Sequence, residues 1–227
     1  MNFTLDEKKV SNFLEANKRN DKLSFIGQSG VYPIKINYVG ITTTSKGSKS
    51  FYINYSLEGD NNSSLLYGGV FEKGDGSICD YGFNQIQAMQ LVFGLKTLTT
   101  TQKKIKIFNG EEREIDLFKE LQDKKCFIQV TLEYSKYNNK ISRRILFRDI
   151  FRVDDKASAL EIANKKGYGN KFKWNEEHKE KISQPSYRDV TEDEVKTWIE
   201  SRKSQTTQTK STNEKVDFEE DNGELPF

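Results

Sequence analysis

From Phe51 to Leu57 the chain alternates without a break. Phe51, Ile53, Tyr55 and Leu57 fall on one side, and Tyr52, Asn54 and Ser56 on the other. Successive side chains of a strand point to opposite faces, so a period of two marks a strand with one face buried and one wet. An amphipathic helix cannot use this pattern, because its apolar positions recur every three to four residues. Neighbouring segments repeat the signal. Val31 to Thr43 follows Gly30 and puts Ile34, Ile36 and Tyr38 on one face, with Lys35 and Asn37 on the other. Ser45 to Ser50, carrying Lys46 and Lys49, reads as the turn between the two strands. After a loop over Gly59 to Ser64, residues 65–72 form a third strand with a bend at Gly68-Gly69.

Gly74-Asp75-Gly76 closes that unit, and Asn84 is placed to cap a helix through Leu95 with Ile86, Met89 and Phe93 on one stripe. Lys104 to Phe108 and Arg113 to Phe118 flank Asn109-Gly110, a type I′ hairpin signal. A second hairpin joins Phe127 to Tyr134 with Ile141 to Phe151 across Tyr137 to Lys140. This makes about seven strands before residue 152. The expected fold is mainly β with a few helices: a small barrel or sandwich over residues 31–152, not a βαβ enzyme. Residues 1–30 form a polar N-terminal arm, with Leu5 to Ala16 its one helical stretch. Residues 153–202 form a charged helical extension. There Ala157 to Asn164 is one helix, and Thr191-Glu192-Asp193-Glu194 is a capping box that starts another bearing Val195, Trp198 and Ile199. Residues 203–213 hold only Lys, Ser, Gln, Thr and Asn, without one apolar residue, and read as a disordered linker into a flexible acidic tail.

Charge divides along the same line. The 227 residues sum to +2, but residues 213–227 hold six carboxylates against Lys215, a net of −5, so the remainder carries +7. A basic body with an acidic end points toward nucleic-acid partners. Aromatics are abundant, with 15 Phe, 10 Tyr and 2 Trp, enough for both a core and a base-stacking surface. No run approaches the roughly 20 apolar residues of a membrane span. Met1 to Lys22 lacks a signal-peptide core, and Cys79 and Cys126 share no CxxC pattern. These features lead to the expectation of a cytoplasmic protein with two free thiols and no membrane partner.

The last eleven residues run from Asp217 through Phe218, Glu219, Glu220, Asp221, Asn222, Gly223 and Glu224 to Leu225-Pro226-Phe227. A solvated tail has no use for large apolar residues unless another surface receives them. A terminal Phe offers a ring and a carboxylate together, and Pro226 limits the freedom lost on capture. This ending resembles the tail of bacterial single-stranded DNA-binding proteins, which closes in Asp-Ile-Pro-Phe. It is also similar to phage-encoded analogues that pair an oligonucleotide/oligosaccharide-binding (OB) fold with an acidic, aromatic-ended tail. The match covers about one ninth of the chain, and the phage-type analogues fit its size better. The resemblance implies an OB-fold-like barrel over residues 31–152 and a bacterial or phage-infected cytoplasm. It also implies a tail that recruits replication or repair proteins through Asp221, Glu224, Leu225, Pro226 and Phe227 and competes with DNA for the barrel.

Binding without sequence preference needs cations for phosphates and flat rings for bases. If Phe51, Ile53, Tyr55 and Leu57 are core, Tyr52 points outward. If Ile128, Val130, Leu132 and Tyr134 are core, Phe127 points outward and is covered either by a base or by the region after residue 152. Tyr32, Tyr38, Tyr67 and Tyr81 read as core or rim. Hairpin loops flank the groove of an OB fold. The nominated DNA contacts are therefore Lys35, Lys46, Lys49, Tyr52, Phe127, Lys136, Tyr137, Lys140, Arg143, Arg144 and Arg148.

Enzymatic readings find little to build on. His178 is the one histidine and sits in a charged stretch, and four zinc ligands cannot be gathered from it and two Cys without carboxylates. No GxxxxGK[ST] or strand-following GxGxxG occurs. No cofactor and no catalytic or metal-ligating residue is nominated. A metal-dependent nuclease would have to use Asp116, Asp123 and Glu133 with Lys136, whose three-residue spacing from Glu133 does not share a strand face. The other alternative is an interaction or recombination-mediator module with the same tail and no DNA groove.

Overall fold

The computed structural model describes residues 26–60, 62–106 and 112–208. The expected helix over Leu5 to Ala16, the Asn109-Gly110 turn and the tail residues Asp221, Glu224, Leu225, Pro226 and Phe227 lie outside the described residues. The chain is mainly β, with eight antiparallel strands in one sheet that does not close on itself. Three strands come first: β1 (Gly30–Thr43), β2 (Lys49–Leu57) and β3 (Ser64–Glu72). Helix α1 (Asp80–Phe93) leads to β4 (Thr100–Lys106) and β5 (Glu112–Phe118), then to the long pair β6 (Lys124–Tyr137) and β7 (Lys140–Phe151). Helices α2 (Ala159–Asn164), α3 (Asn170–Glu177) and α4 (Lys179–Ile182) precede β8 (Ser186–Arg188) and α5 (Glu192–Gln208). No helix among the described residues is long and apolar enough to cross a membrane.

The chain divides into two units, Met1–Glu133 with Arg143–Ser186, and Tyr134–Ser142 with Tyr187–Phe227. In the larger unit β1 is the organising strand. It pairs with β2 over Ile34 to Thr43, with β6 over Gly30 to Ile36, and with β5 at Gly40 and Ile41. The alternation in β2 holds: Phe51, Ile53 and Tyr55 are buried. In β1 it breaks. Ile36 faces Tyr55 but Tyr38 faces Asn54, so Asn37 is an extra residue in the ladder. The bulge turns Val39 into the core and Tyr38 out of it, against the expectation that Tyr38 continues the face of Ile34 and Ile36.

The bend expected at Gly68-Gly69 is a second bulge, since Ser50 faces Val70 and Tyr52 faces Tyr67. Packing explains both glycines: a β-carbon on Gly68 would sit 2.2 Å from the buried Phe51 ring, and one on Gly69 would sit 2.8 Å from the Gly82 α-carbon. Gly82 lets α1 lie directly on β3. This helix starts at Asp80 after Cys79, with no side-chain cap, so Asn84 is inside it and does not cap it. Ile86, Met89 and Val92 face the core beside Ile34, Ile128 and Phe147. Cys79 and Cys126 are free.

The sheet is open between β3 and β7, and one side chain bridges the opening. The buried Gln85 accepts from the Gly69 amide at 2.9 Å and donates through Nε2 to the Phe147 carbonyl at 2.9 Å. The Gly69 amide is thereby satisfied in the interior, and the Phe147 carbonyl, which also accepts from the Tyr81 hydroxyl at 3.4 Å, gains its shorter bond.

The smaller unit holds the β6–β7 turn, where Asn138 and Asn139 both have positive φ (46° and 60°), as a type I′ turn requires. Its helix α5 begins in the expected capping box: Glu194 N donates to Thr191 Oγ1 at 3.3 Å and Thr191 N donates to Glu194 Oε2 at 2.8 Å. Val195 is buried, Trp198 meets the Tyr134 ring edge-on with centroids 6.1 Å apart, and Tyr187 stacks on Tyr134 at 6.0 Å. The helix continues through Gln208, so residues 203–208 are helical where the composition suggested disordered linker.

Candidate nucleic-acid interface

In the larger unit the wet face of β1–β3 gathers three tyrosines. Tyr52 and Tyr67 are direct partners across β2 and β3. Tyr38, turned outward by the Asn37 bulge, meets Tyr52 edge-on with centroids 6.0 Å apart. Tyr67 is 70% exposed, so much of its ring is open to a ligand. The Tyr52 ring is held closely, because Gly40 beneath it has no β-carbon. Burial first, then the neighbouring Tyr38 and Tyr67, push the Tyr52 phenol up to about 12. Burial also raises Tyr38, partly offset by a hydrogen bond with Asn54.

A polar strip adjoins these rings. Asn37 Nδ2 donates to Asn54 Oδ1 at 2.8 Å and to Ser56 Oγ at 3.1 Å. Flat rings beside amide and hydroxyl groups suit bases with no fixed hydrogen-bond code. Tyr52 was legible as an outward residue. Tyr38 and Tyr67 read as core or rim, because their placement depends on two bulges that alternation cannot reveal.

The nominated cations of this unit are spread over several strands. Lys46 is exposed in the β1–β2 turn, while Lys49 pairs with Glu72 at 2.8 Å. Lys35 pairs with Asp123 at 2.6 Å, an exposed contact that holds the Asp123 carboxyl below its ordinary range. On β7, Arg143 donates to the Gly27 carbonyl at 2.6 Å, Arg144 Nε donates to Glu133 at 2.8 Å, and Arg148 is exposed. The exposed pairs of Lys35 and Lys49 contribute little to stability and leave those lysines open to exchange for phosphate, whereas Arg144 is tied to the buried Glu133.

Phe127 does leave the core face of β6, and the chain after residue 152 covers much of it. Phe172 of α3 meets its ring edge-on at 5.0 Å, and Lys156 Nζ lies 3.8 Å from its centroid. Its ring is partly buried and lines a cavity together with Lys125 and Val153. In the smaller unit, Tyr137 is 61% exposed and Lys140 is exposed, while Lys136 pairs with Glu194 at 2.6 Å. That lysine and the Thr191 cap hold the Glu194 carboxyl down to about 2.

The four residues considered for a nuclease have separate partners or places. Asp123 pairs with Lys35, Glu133 is buried with Arg144, Lys136 pairs with Glu194, and Asp116 lies on β5 opposite Ile41. His178 stacks on Trp174 with centroids 4.3 Å apart and is exposed. Compared with known families and curated proteins, the chain matches no family profile and no curated sequence.

Proposed function

We propose that this chain is a non-enzymatic single-stranded DNA-binding protein that coats strands without sequence specificity during replication, recombination or repair. The observation that carries the reading is the Tyr38–Tyr52–Tyr67 row on a wet sheet face. A soluble sheet gains nothing by leaving the Tyr67 ring 70% exposed beside two others, whereas unpaired bases stack on such rings for about 1–3 kcal/mol each. The basic body and the lysine-bearing β1–β2 turn supply phosphate contacts.

An OB-type barrel is the fold this reading takes. It is supported by β1 lying between β2 and β6, by a helix directly after β3, by the β6–β7 hairpin that follows, and by Gln85 joining β3 to β7. The acidic segment 213–227, with Leu225, Pro226 and Phe227, recruits replication or repair proteins in the cytoplasm of a bacterium or a phage-infected host.

The test is fluorescence anisotropy with labelled oligo-dT and a duplex of equal length. A preference for the single strand of about tenfold or more is expected, because rings can stack only on unpaired bases. Equal affinity for duplex opposes the reading. Cleavage with Mg²⁺ would favour a nuclease, and no binding at all would leave an interaction module.

A further inference from the structure

We infer that the cavity beside the β1 bulge accepts one nucleotide unit, carrying a strand's path off the tyrosine face. The inference rests on the single-strand reading. The cavity has a volume of about 540 Å³, within the range of about 300–1,000 Å³ typical of small-molecule sites. Two of its lining residues, Asn37 and Ser56, belong to the polar strip that adjoins Tyr38 and Tyr52 through Asn54. The tyrosine face and the cavity therefore share a border, and a chain stacked on the rings reaches it without crossing a strand.

The remaining walls sort by chemistry. Leu57, Phe127 and Val153 are apolar and fit the faces of a base or sugar. Lys125 lines the β6 side, is exposed, and has no ion-pair partner among the described residues. Lys156 also lines the cavity and donates to the Val153 carbonyl at 2.9 Å, so its charge is held in place at the rim. The carboxylates Glu58 and Asp60 line the opposite, β2 side, and Asp60 is engaged by the Asn62 amide at 2.9 Å. That split orients the guest. The phosphate lies toward Lys125, and the base lies toward Asn37 and Ser56, whose amide and hydroxyl can pair with base edges of either hydrogen-bonding sense.

Two sources could supply such a unit, a nucleotide within a strand or a free mononucleotide. The test titrates dTMP and thymidine into the isotopically labelled full chain and follows the amides of Asn37, Ser56, Lys125 and Phe127 by NMR. Saturable shifts with dTMP are expected at concentrations up to about 10 mM, the weak range of a ligand with few contacts. Thymidine should bind about two- to fivefold more weakly, since one exposed ionic contact is lost. Val153→Trp should fill the cavity and abolish the shifts. Lys125→Glu, at an exposed position, should weaken dTMP and leave thymidine unchanged. No saturable shift, or shifts undiminished in Val153→Trp, overturns the inference.

A parallel oligo-dT titration separates this outcome from failure of the broader reading. Strand binding that leaves these amides unmoved keeps the single-strand reading and overturns the cavity. Shifts with dTMP in a chain that does not bind oligo-dT overturn the single-strand reading and make the cavity a free-mononucleotide site.

Discussion

The Tyr52 ring lies over Gly40 so closely that a β-carbon on the glycine would fall 2.4 Å from its Cζ. Both residues are on the wet side of the sheet and face each other across β1 and β2. The glycine therefore sets where the central ring of the tyrosine row lies. Gly40→Ala should displace that ring. The loss of oligo-dT affinity should approach that of Tyr52→Ala, about 1–3 kcal/mol for one stacked base. Because the colliding atoms are at the far end of a side chain, circular dichroism should remain that of the folded chain. Unchanged affinity in Gly40→Ala would mean that the ring position is irrelevant to binding.

Alkaline pH should report the same ring. Folding raises the Tyr52 phenol from 10.0 to about 12. A group raised by folding contributes stability that is whole below its unfolded value and is lost as pH climbs through the folded one. The window is thus from about pH 10 to about pH 12. Tyr52→Phe removes the linkage, so its alkaline unfolding midpoint should lie above that of the parent. A tyrosinate absorbance titration should also lose one late-ionising phenol.

Gln85 offers a stability test independent of any ligand. Gln85→Ala leaves the Gly69 amide without its side-chain partner and the Phe147 carbonyl with only the longer bond from the Tyr81 hydroxyl at 3.4 Å. A buried group left unsatisfied costs about 1–3 kcal/mol, so a loss of about 1–3 kcal/mol is expected in urea unfolding. A loss under about 0.5 kcal/mol, the range of neutral surface changes, would mean that water replaces the bridge.

How much of this was legible in the sequence depends on how local each signal is. Phe51 to Leu57 is a strand because its own side chains alternate, and that segment is as read. The two-residue turn at Asn138-Asn139 and the Thr191–Glu194 box are also set by residues within four positions of each other. The Asn37 bulge is not. It exists only as a mismatch between β1 and β2, so alternation puts Tyr38 on the core face and gives Tyr67 no more than a core or rim reading. Asn84 reads as the start of α1 because the real one, after Cys79, has no capping side chain; Gly82 is fitted to β3 instead. For Phe127 the cover came from Phe172 and Lys156, residues that no periodicity links to β6.

The charge split yields a salt-dependent outcome. Removing residues 213–227 raises the formal net charge from +2 to +7. The shortened chain should bind oligo-dT several-fold more tightly at low salt. The gain should vanish as salt rises, since attraction between exposed charges is screened beyond about 8 Å at physiological ionic strength. In the same titrations, Lys46 and Lys49 changed together to Ala should flatten the salt dependence, which is about −0.7 per phosphate contact for single strands. Equal low-salt affinity with and without the acidic segment would mean that it does not compete for the basic surface.

The most direct measurement is photochemical. Ultraviolet irradiation of the oligo-dT complex joins thymine to rings in stacking contact, and peptide mass spectrometry then locates the adducts. Adducts at Tyr67 and Tyr52, lost from each peptide when its tyrosine is changed to Ala, are the expected result. A complex whose adducts all lie away from β1–β3, for instance only at Tyr137 or Trp174, would contradict the assignment of the tyrosine face as the strand-binding surface.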